Sequence, residues 1–345
     1  TKANRICRAA NGKPVMEFGS RRAQGYDGAI YGARAAIIGG CTSTACTIAE
    51  EMFGVPAVGT MAHSWIQLFD TEYEAFKAWA IAYPNDCTLL VDTYNVLKSG
   101  IPNAIKVFDE ILKPQGIRPK GVRIDSGDIT YLTNKSREML DAAGYHDVKI
   151  VVSNSLDEHI IRDVQNQGAK IDSFGVGERL ITAKSEPVFG GVYKLVAVEK
   201  ENTIVPKIKI SETQEKITNP GFKKIYRIFD KNSDKAIADL ITLADEVIDD
   251  SKPLVIFDPI YTWKRKKLKN FYVKELQVKI FDKGQPVYTS PDVMTIREFA
   301  KKETERLWPE VLRFENPHTY YVDLSKKLWN LKQELLMELS DTDEE

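Results

Sequence analysis

Five times between Val55 and Gly177 a short apolar run ends in glycine or polar residues, and a segment of helical periodicity follows. The runs are VPAVGT, leading to His63; TLLVD, closing on Asp92; GVRIDSGD; KIVVSNS; and KIDSFGVG. The segments between them, Glu72 to Tyr83, Pro102 to Leu112, Ser136 to Ala143 and Asp157 to Gln167, read as amphipathic helices. Strands alternating with helices predict a parallel sheet. In a β/α barrel the loops after the strands gather at one face, where catalytic side chains sit. The expected fold class is α/β, a partial TIM-like β/α barrel, with an active face built from residues far apart in sequence.

Charge is balanced, with 48 basic against 49 acidic residues, which argues against general binding of nucleic acid or of a membrane surface. Any anion site must therefore be local. Cys7, Cys41, Cys46 and Cys87 form no CxxC pair and are too few for a disulfide scaffold, so small core residues in a reducing cytosol are expected. No run of ~18 apolar residues occurs, and the expectation is a cytoplasmic protein without a membrane segment. The chain opens TKANRICRAA, with the texture of mid-helix and no initiator Met, as a fragment would.

Near residue 200 the texture changes. Residues 1–200 are expected to form the barrel, and residues 201–345 a β-rich and helical part that partly completes it. IKISETQEK, KKIYRIF and LVIFDPIYTW are short and strand-like. The basic cluster Lys264, Arg265, Lys266, Lys267 and Lys269 reads as a solvated loop, with a phosphate or partner contact as the lesser alternative. Helical patterns run from Thr295 to Leu307 and from Leu324 to Leu339, and DTDEE reads as a frayed tail.

In GVRID, period two sends Val122 and Ile124 one way and Arg123 and Asp125 the other. The apolar pair suits the helix side, so the charged pair faces the barrel axis near the strand's carboxyl end. An arginine there clamps a carboxylate, and the acid binds ribose hydroxyls or magnesium; an ion pair that merely fills the barrel is the alternative. SNS, with Asn154, and FGVG, with Gly175 and Gly177, suit a phosphate site, although ordinary turns also use glycine. Arg21, in EFGSRRAQG, follows a strand end and attracts pyrophosphate or carboxylate. In GGCTST a helix is expected to open near Ser43 or Thr44, offering N–H groups to an anion or simply a cap. His63 follows a strand-like run, whereas His146, His159 and His318 do not; proton transfer or attack on phosphorus is the reading.

Taken in order, EFGSRRAQG, GTMAHSW, VDTYN, VRIDSGD, SNSLDE and FGVGERL resemble the nicotinate phosphoribosyltransferases, from about Arg5 to at least Arg227. The resemblance implies the barrel of the type II phosphoribosyltransferases. It also implies a reaction in which nicotinate and 5-phosphoribosyl 1-diphosphate give nicotinate mononucleotide and diphosphate, coupled to ATP hydrolysis through a phosphohistidine. By the same resemblance His63 is the phosphorylated residue and Arg123 holds nicotinate. Asp125 is a ribose or magnesium ligand and a catalytic residue, Ser126 beside it binds substrate, and the SNS and GVG loops take the 5-phosphate. Mg2+ and ATP are the expected cofactor and co-substrate. Related nicotinamide enzymes carry an aspartate near Ser43, so serine there suits the acid. Family members carry a further N-terminal domain, which in a homodimer closes the site of the opposite subunit; the resemblance implies that this chain starts after it. The rivals are a nicotinamide or quinolinate phosphoribosyltransferase and a barrel that binds nucleotide without catalysis.

Overall fold

The computed structural model describes residues 1–340; the tail expected at residues 341–345 lies outside them. The chain divides into two compact units, one of Thr1–Phe189 with Pro291–Lys301, the other of Gly190–Ser290 with Lys302 onward.

The first unit carries a six-stranded parallel sheet. Its strands are β1 (Val15–Glu17), β2 (Ser43–Thr44), β3 (Thr88–Leu90), β4 (Gly121–Ile124), β5 (Lys149–Val152) and β6 (Ser173–Val176). They lie in the order β2-β1-β6-β5-β4-β3, an arc of a β/α barrel. Around them run helices α1 (Lys2–Ala9), α2 (Tyr26–Ile38), α3 (Thr47–Phe53), α4 (His63–Gln67), α5 (Glu72–Ala82), α6 (Ile101–Val107), α7 (Ile129–Ala142), α8 (Glu158–Asn166) and α9 (Glu178–Ile181). Leu89, Val122, Ile124, Ile150, Val152, Phe174 and Val176 are fully buried, as the apolar runs require. Each such side chain contributes about 1.5–3 kcal/mol of transfer free energy.

Four of the five apolar runs are strands. VPAVGT is not: only Ala57 bridges to Thr44, because Pro56 has no N–H to continue a ladder. The helix expected to open near Ser43 or Thr44 is also displaced. Those residues form β2, and α3 starts at Thr47 after Cys46, whose N–H is taken by the Thr44 hydroxyl at 3.0 Å. Helix α7 begins seven residues before the expected Ser136, where the Asp128 carboxylate accepts from Tyr131 N–H at 2.9 Å. The helix expected over Pro102 to Leu112 is α6 flanked by π-helical turns at Val96–Gly100 and Phe108–Leu112.

Residues after Phe189 also build the first unit. Arg297, in Pro291–Lys301, donates from Nη1 to the Cys41 carbonyl at 2.6 Å and from Nη2 to the Gly40 carbonyl at 3.0 Å.

The second unit holds a four-stranded sheet ordered Phe271–Glu275, Lys223–Asp230, Ala236–Leu243, Val322–Leu324. Ile228, Ala238, Leu240, Ile256, Leu268 and Phe271 form its core. The basic cluster is not a loop. Arg265–Leu268 pairs antiparallel with Leu254–Phe257 and leaves Arg265, Lys266 and Lys267 exposed along an edge, where charge discourages further pairing. IKISETQEK forms no strand and contains only a 3₁₀ turn at Gln214–Lys216.

Candidate active site

At the carboxyl ends of the first unit's strands lies a cavity of about 430 Å³. Arg21, His63, Arg123, Asp125, Asn154, Gly175 and Gly177, singled out from sequence, all line it. Strand β4 sets the polar floor. Val122 and Ile124 are fully buried behind it, and the intervening Arg123, with Asp125 just past the strand, turns to the cavity as period two demands.

Arg123 is fixed from three sides. Its Nε donates to Ser153 Oγ at 2.9 Å, Nη1 to Thr60 Oγ1 at 2.8 Å, and Nη2 to Asp125 Oδ1 at 3.0 Å. Ser153 Oγ also donates to Asp125 Oδ1, closing the triangle. The guanidinium lies 5.3 Å from the centre of the Phe18 ring. Three of its five N–H donors are used in this way, and two remain. The internal ion pair and the cavity lining are therefore both present.

His63 is the first residue of α4, and its ring is 40% exposed. Its Nε2 lies 3.2 Å from Asp92 Oδ1. A carboxylate only accepts, so Nε2 is the nitrogen that donates to Asp92. Asp92 follows β3, and its side chain is 1% exposed. Its Oδ2 accepts from Asp125 N–H at 3.0 Å and from the Ser126 hydroxyl at 2.6 Å. Ser126 thus braces Asp92 rather than facing the cavity. Asp92 ends the TLLVD run and lies in VDTYN, but neither signal marks it as a hydrogen-bond hub.

The Asn154 side of the cavity has a different construction. Asn154 and Ser155 follow β5 with φ of 93° and 51°, a left-handed kink that turns the chain over the cavity. Asp157 then caps α8, accepting from His159 N–H at 3.0 Å and Ile160 N–H at 2.9 Å, and pairs with Arg179 of α9. Burial pushes the Asp157 carboxyl up, but the Ile160 N–H and Arg179 outweigh it and hold it below its ordinary value. Gly175 lies within β6, opposite Met16, and is no anion nest. A Cβ there would meet the Phe18 ring at 2.6 Å, so its role is to admit that ring.

Arg21 and Arg22 lie on the exposed 3₁₀ turn Ser20–Arg22 at the rim. Beneath it Glu17 is fully buried. Burial raises the Glu17 carboxyl above its ordinary value, against the opposing pull of bonds from Thr44 and Gly19. Ser43 is 5% exposed within β2 and does not line the cavity; Ala45 of the same segment does. Among the described residues no group of three or more His, Cys, Asp or Glu side chains could hold a metal ion, and no helix is long and apolar enough to cross a membrane.

Residues 14–235 match the nicotinate phosphoribosyltransferase (NAPRTase) family, and residues 222–332 match the nicotinate phosphoribosyltransferase C-terminal domain. The chain is 44% identical to the nicotinate phosphoribosyltransferase of Bacillus subtilis (strain 168), over 100% of this chain and 70% of that protein. It is 32% identical to the Dictyostelium discoideum protein of the same name, over 94% of this chain and 63% of that one. The crystal structure of human nicotinic acid phosphoribosyltransferase superposes with a TM-score of 0.78 at 26% identity, covering 97% of this chain and 73% of the human one. Arg21, His63, Arg123, Asp125, Asn154, Gly175 and Gly177 all lie in motifs that the match spans, and the chain belongs to the nicotinate phosphoribosyltransferase family.

Proposed function

We propose that the chain's cavity joins nicotinate to 5-phosphoribosyl 1-diphosphate, releasing diphosphate and nicotinate mononucleotide. The observation that carries this reading is the fixed Arg123 guanidinium, with two donors left at the cavity. A planar carboxylate matches those donors bidentately, and a carboxamide does not. Selection of the acid therefore rests on Arg123 rather than on Ser43.

Displacement at the anomeric carbon builds positive charge on the ribose while the diphosphate leaves and the pyridine nitrogen approaches from the opposite side. Arg21 and Arg22 suit the diphosphate, the Asn154–Ser155 kink and the Gly177 turn suit the 5-phosphate, and Asp125 suits the ribose. Their contribution is positioning and electrostatics. With no multidentate protein cage among the described residues, magnesium fits as an ion carried by the diphosphate, with Asp125 supplying at most one oxygen. When bound it would neutralise charge on the departing diphosphate.

In the ATP-coupled part of the reading, His63 Nδ1 attacks the terminal phosphorus of ATP and ADP leaves; water later releases phosphate. Asp92 stabilises the imidazolium as the bond forms. Phosphate on His63 would add about two negative charges at the cavity mouth and reorder the loops around the substrates. The chain is further proposed to act in the cytoplasm as a homodimer whose sites are shared between subunits. Mixing a His63→Ala chain with one altered in the segment from the opposite subunit should restore activity.

The deciding experiment incubates the protein with ATP labelled in its terminal phosphate and assays acid-labile, base-stable phosphate together with nicotinate mononucleotide. Labelling that disappears in His63→Ala supports the reading, and mononucleotide formation with unchanged ATP hydrolysis in that variant overturns it.

A further inference from the structure

Glu17 is the last residue of β1, and its carboxylate is fully buried. It does not line the cavity, yet both its oxygens grip segments that do. One accepts the Gly19 N–H, and the other accepts the Thr44 hydroxyl at 2.6 Å. The Glu17 carbonyl also takes the Ala45 N–H at 2.8 Å. Thr44 is no idle partner, since its oxygen accepts in turn from Cys46 N–H. A single side chain thus ties the Phe18–Arg22 turn to the Thr44–Cys46 segment.

The other side of the turn is equally confined. A Cβ at Gly19 would lie 2.5 Å from Ile181 Cβ and 2.8 Å from the Glu17 carboxylate, so Gly19 is held between α9 and Glu17. Phe18 is pinned between Gly175 and the Arg123 guanidinium. From this anchored base Arg22 N–H bonds the Gly19 carbonyl at 2.7 Å, and the turn delivers Arg21 and Arg22 to the rim. A buried carboxylate is expensive, and an all-apolar contact would hold a turn without that expense. Two charge-assisted bonds to two separate cavity segments are what the carboxylate adds.

We propose that Glu17 is a positioning residue, whose buried carboxylate sets the arginine turn against the Thr44–Cys46 segment so that Arg21 and Arg22 meet the diphosphate of the phosphoribosyl donor. This rests on the proposed reaction and deepens it by assigning the geometry of the diphosphate grip to a residue that touches no substrate. Loss of Glu17 leaves the arginines chemically intact but lets their turn drift from the strand end. The cost falls on the diphosphate substrate and spares the pyridine substrate, which is held by Arg123 on another strand.

The test is steady-state kinetics on the full protein, varying each substrate in turn. Glu17→Ala is expected to raise KM for 5-phosphoribosyl 1-diphosphate on the order of tenfold while moving KM for nicotinate less than about twofold. Glu17→Gln keeps an oxygen for the Gly19 N–H and offers its amide N–H to Thr44 Oγ1 with the bond reversed, and should recover to within about threefold of wild type. In an Arg21→Ala, Arg22→Ala background Glu17→Ala should add nothing further, since the residues act as a unit. If Glu17→Ala yields no folded protein, Thr44→Val replaces it with the same split between substrates expected. Equal changes in both KM values, or additivity with the arginine changes, overturns the proposal. An arginine pair whose removal leaves the KM for 5-phosphoribosyl 1-diphosphate unchanged would instead bring down the diphosphate assignment, and the proposal with it. A normal arginine effect beside an inert Glu17 overturns the proposal alone.

Discussion

Replacing Asp92 by asparagine should silence His63 while leaving the fold standing. The carboxylate is 1% exposed and serves three donors: His63 Nε2, Asp125 N–H and the Ser126 hydroxyl. Asparagine has one acceptor oxygen, enough for the last two, and its amide would then face His63. The ring must turn its proton to Nδ1 and offer Nε2 as acceptor, which removes the lone pair from the nitrogen proposed to attack phosphorus. The same inversion of tautomer in a serine-protease triad costs on the order of 10⁴ in rate, so phosphate transfer from ATP to His63 should fall by about 10³ to 10⁴, or ~4–5.5 kcal/mol of transition-state stabilisation. Stability should fall by much less, about 1.5–3 kcal/mol for hydrogen bonds weakened by loss of charge. Rapid-quench measurement of acid-labile phosphate, beside thermal unfolding, separates the two quantities. A folded Asp92→Asn protein that still labels within about tenfold of wild type would refute the assignment of Asp92 as the group that sets the His63 tautomer.

Arg123→Ala should raise KM for nicotinate by an amount equivalent to about 2–5 kcal/mol and leave that for 5-phosphoribosyl 1-diphosphate far less affected, with Arg123→Lys an incomplete rescue; equal losses for both substrates would contradict the assignment. Gly175→Ala forces a methyl to within 2.6 Å of the Phe18 ring, so a loss of about 1–3 kcal/mol in chemical denaturation is expected from overpacking, and unaltered stability would count against that packing. Glu158, 2% exposed, accepts from Arg5 Nε at 2.9 Å and lies 2.8 Å from Lys2 Nζ, close as an ion pair though not aligned as a hydrogen bond. Burial alone would raise its carboxyl, but Lys2 and Arg5 hold it below the ordinary value. The contribution is present above the unfolded pKa of about 4.3 and lost as pH falls through the depressed folded value. Wild type should therefore exceed Glu158→Gln in stability at pH 7 and converge with it in acid; a gap independent of pH would exclude the ionic origin.

Period two was enough to place Arg123 and Asp125 at the cavity, because a strand with helices on one side has only two faces to assign. Strand ends could be read for the same reason, since glycine and small polar residues mark them locally. Asp92 and Glu17 could not be weighed this way. Each matters through bonds to residues 27 to 34 positions away, and nothing in the letters VD or EF distinguishes a hub from a strand end. Resemblance assigns Ser43 to the substrate, but β2 buries it, and the cavity is reached two residues later at Ala45. The basic run at Arg265 shows the converse limit. Consecutive charges resemble a loop until the apolar Leu254–Phe257 partner supplies a ladder for them.

Arg297 has a consequence for how such a protein can be divided by recombination. A gene ending after Phe189 would encode every cavity residue, yet would omit the guanidinium that takes the carbonyls of Gly40 and Cys41. Those carbonyls immediately precede the Thr42–Ala45 stretch that runs along β2 into the cavity. Inheritance of the catalytic half therefore requires a discontinuous piece of sequence, with 101 intervening residues, Gly190–Ser290, carried along or spliced out. Single-crossover exchange at the apparent domain boundary should yield chains that hold the right side chains on a loosened strand.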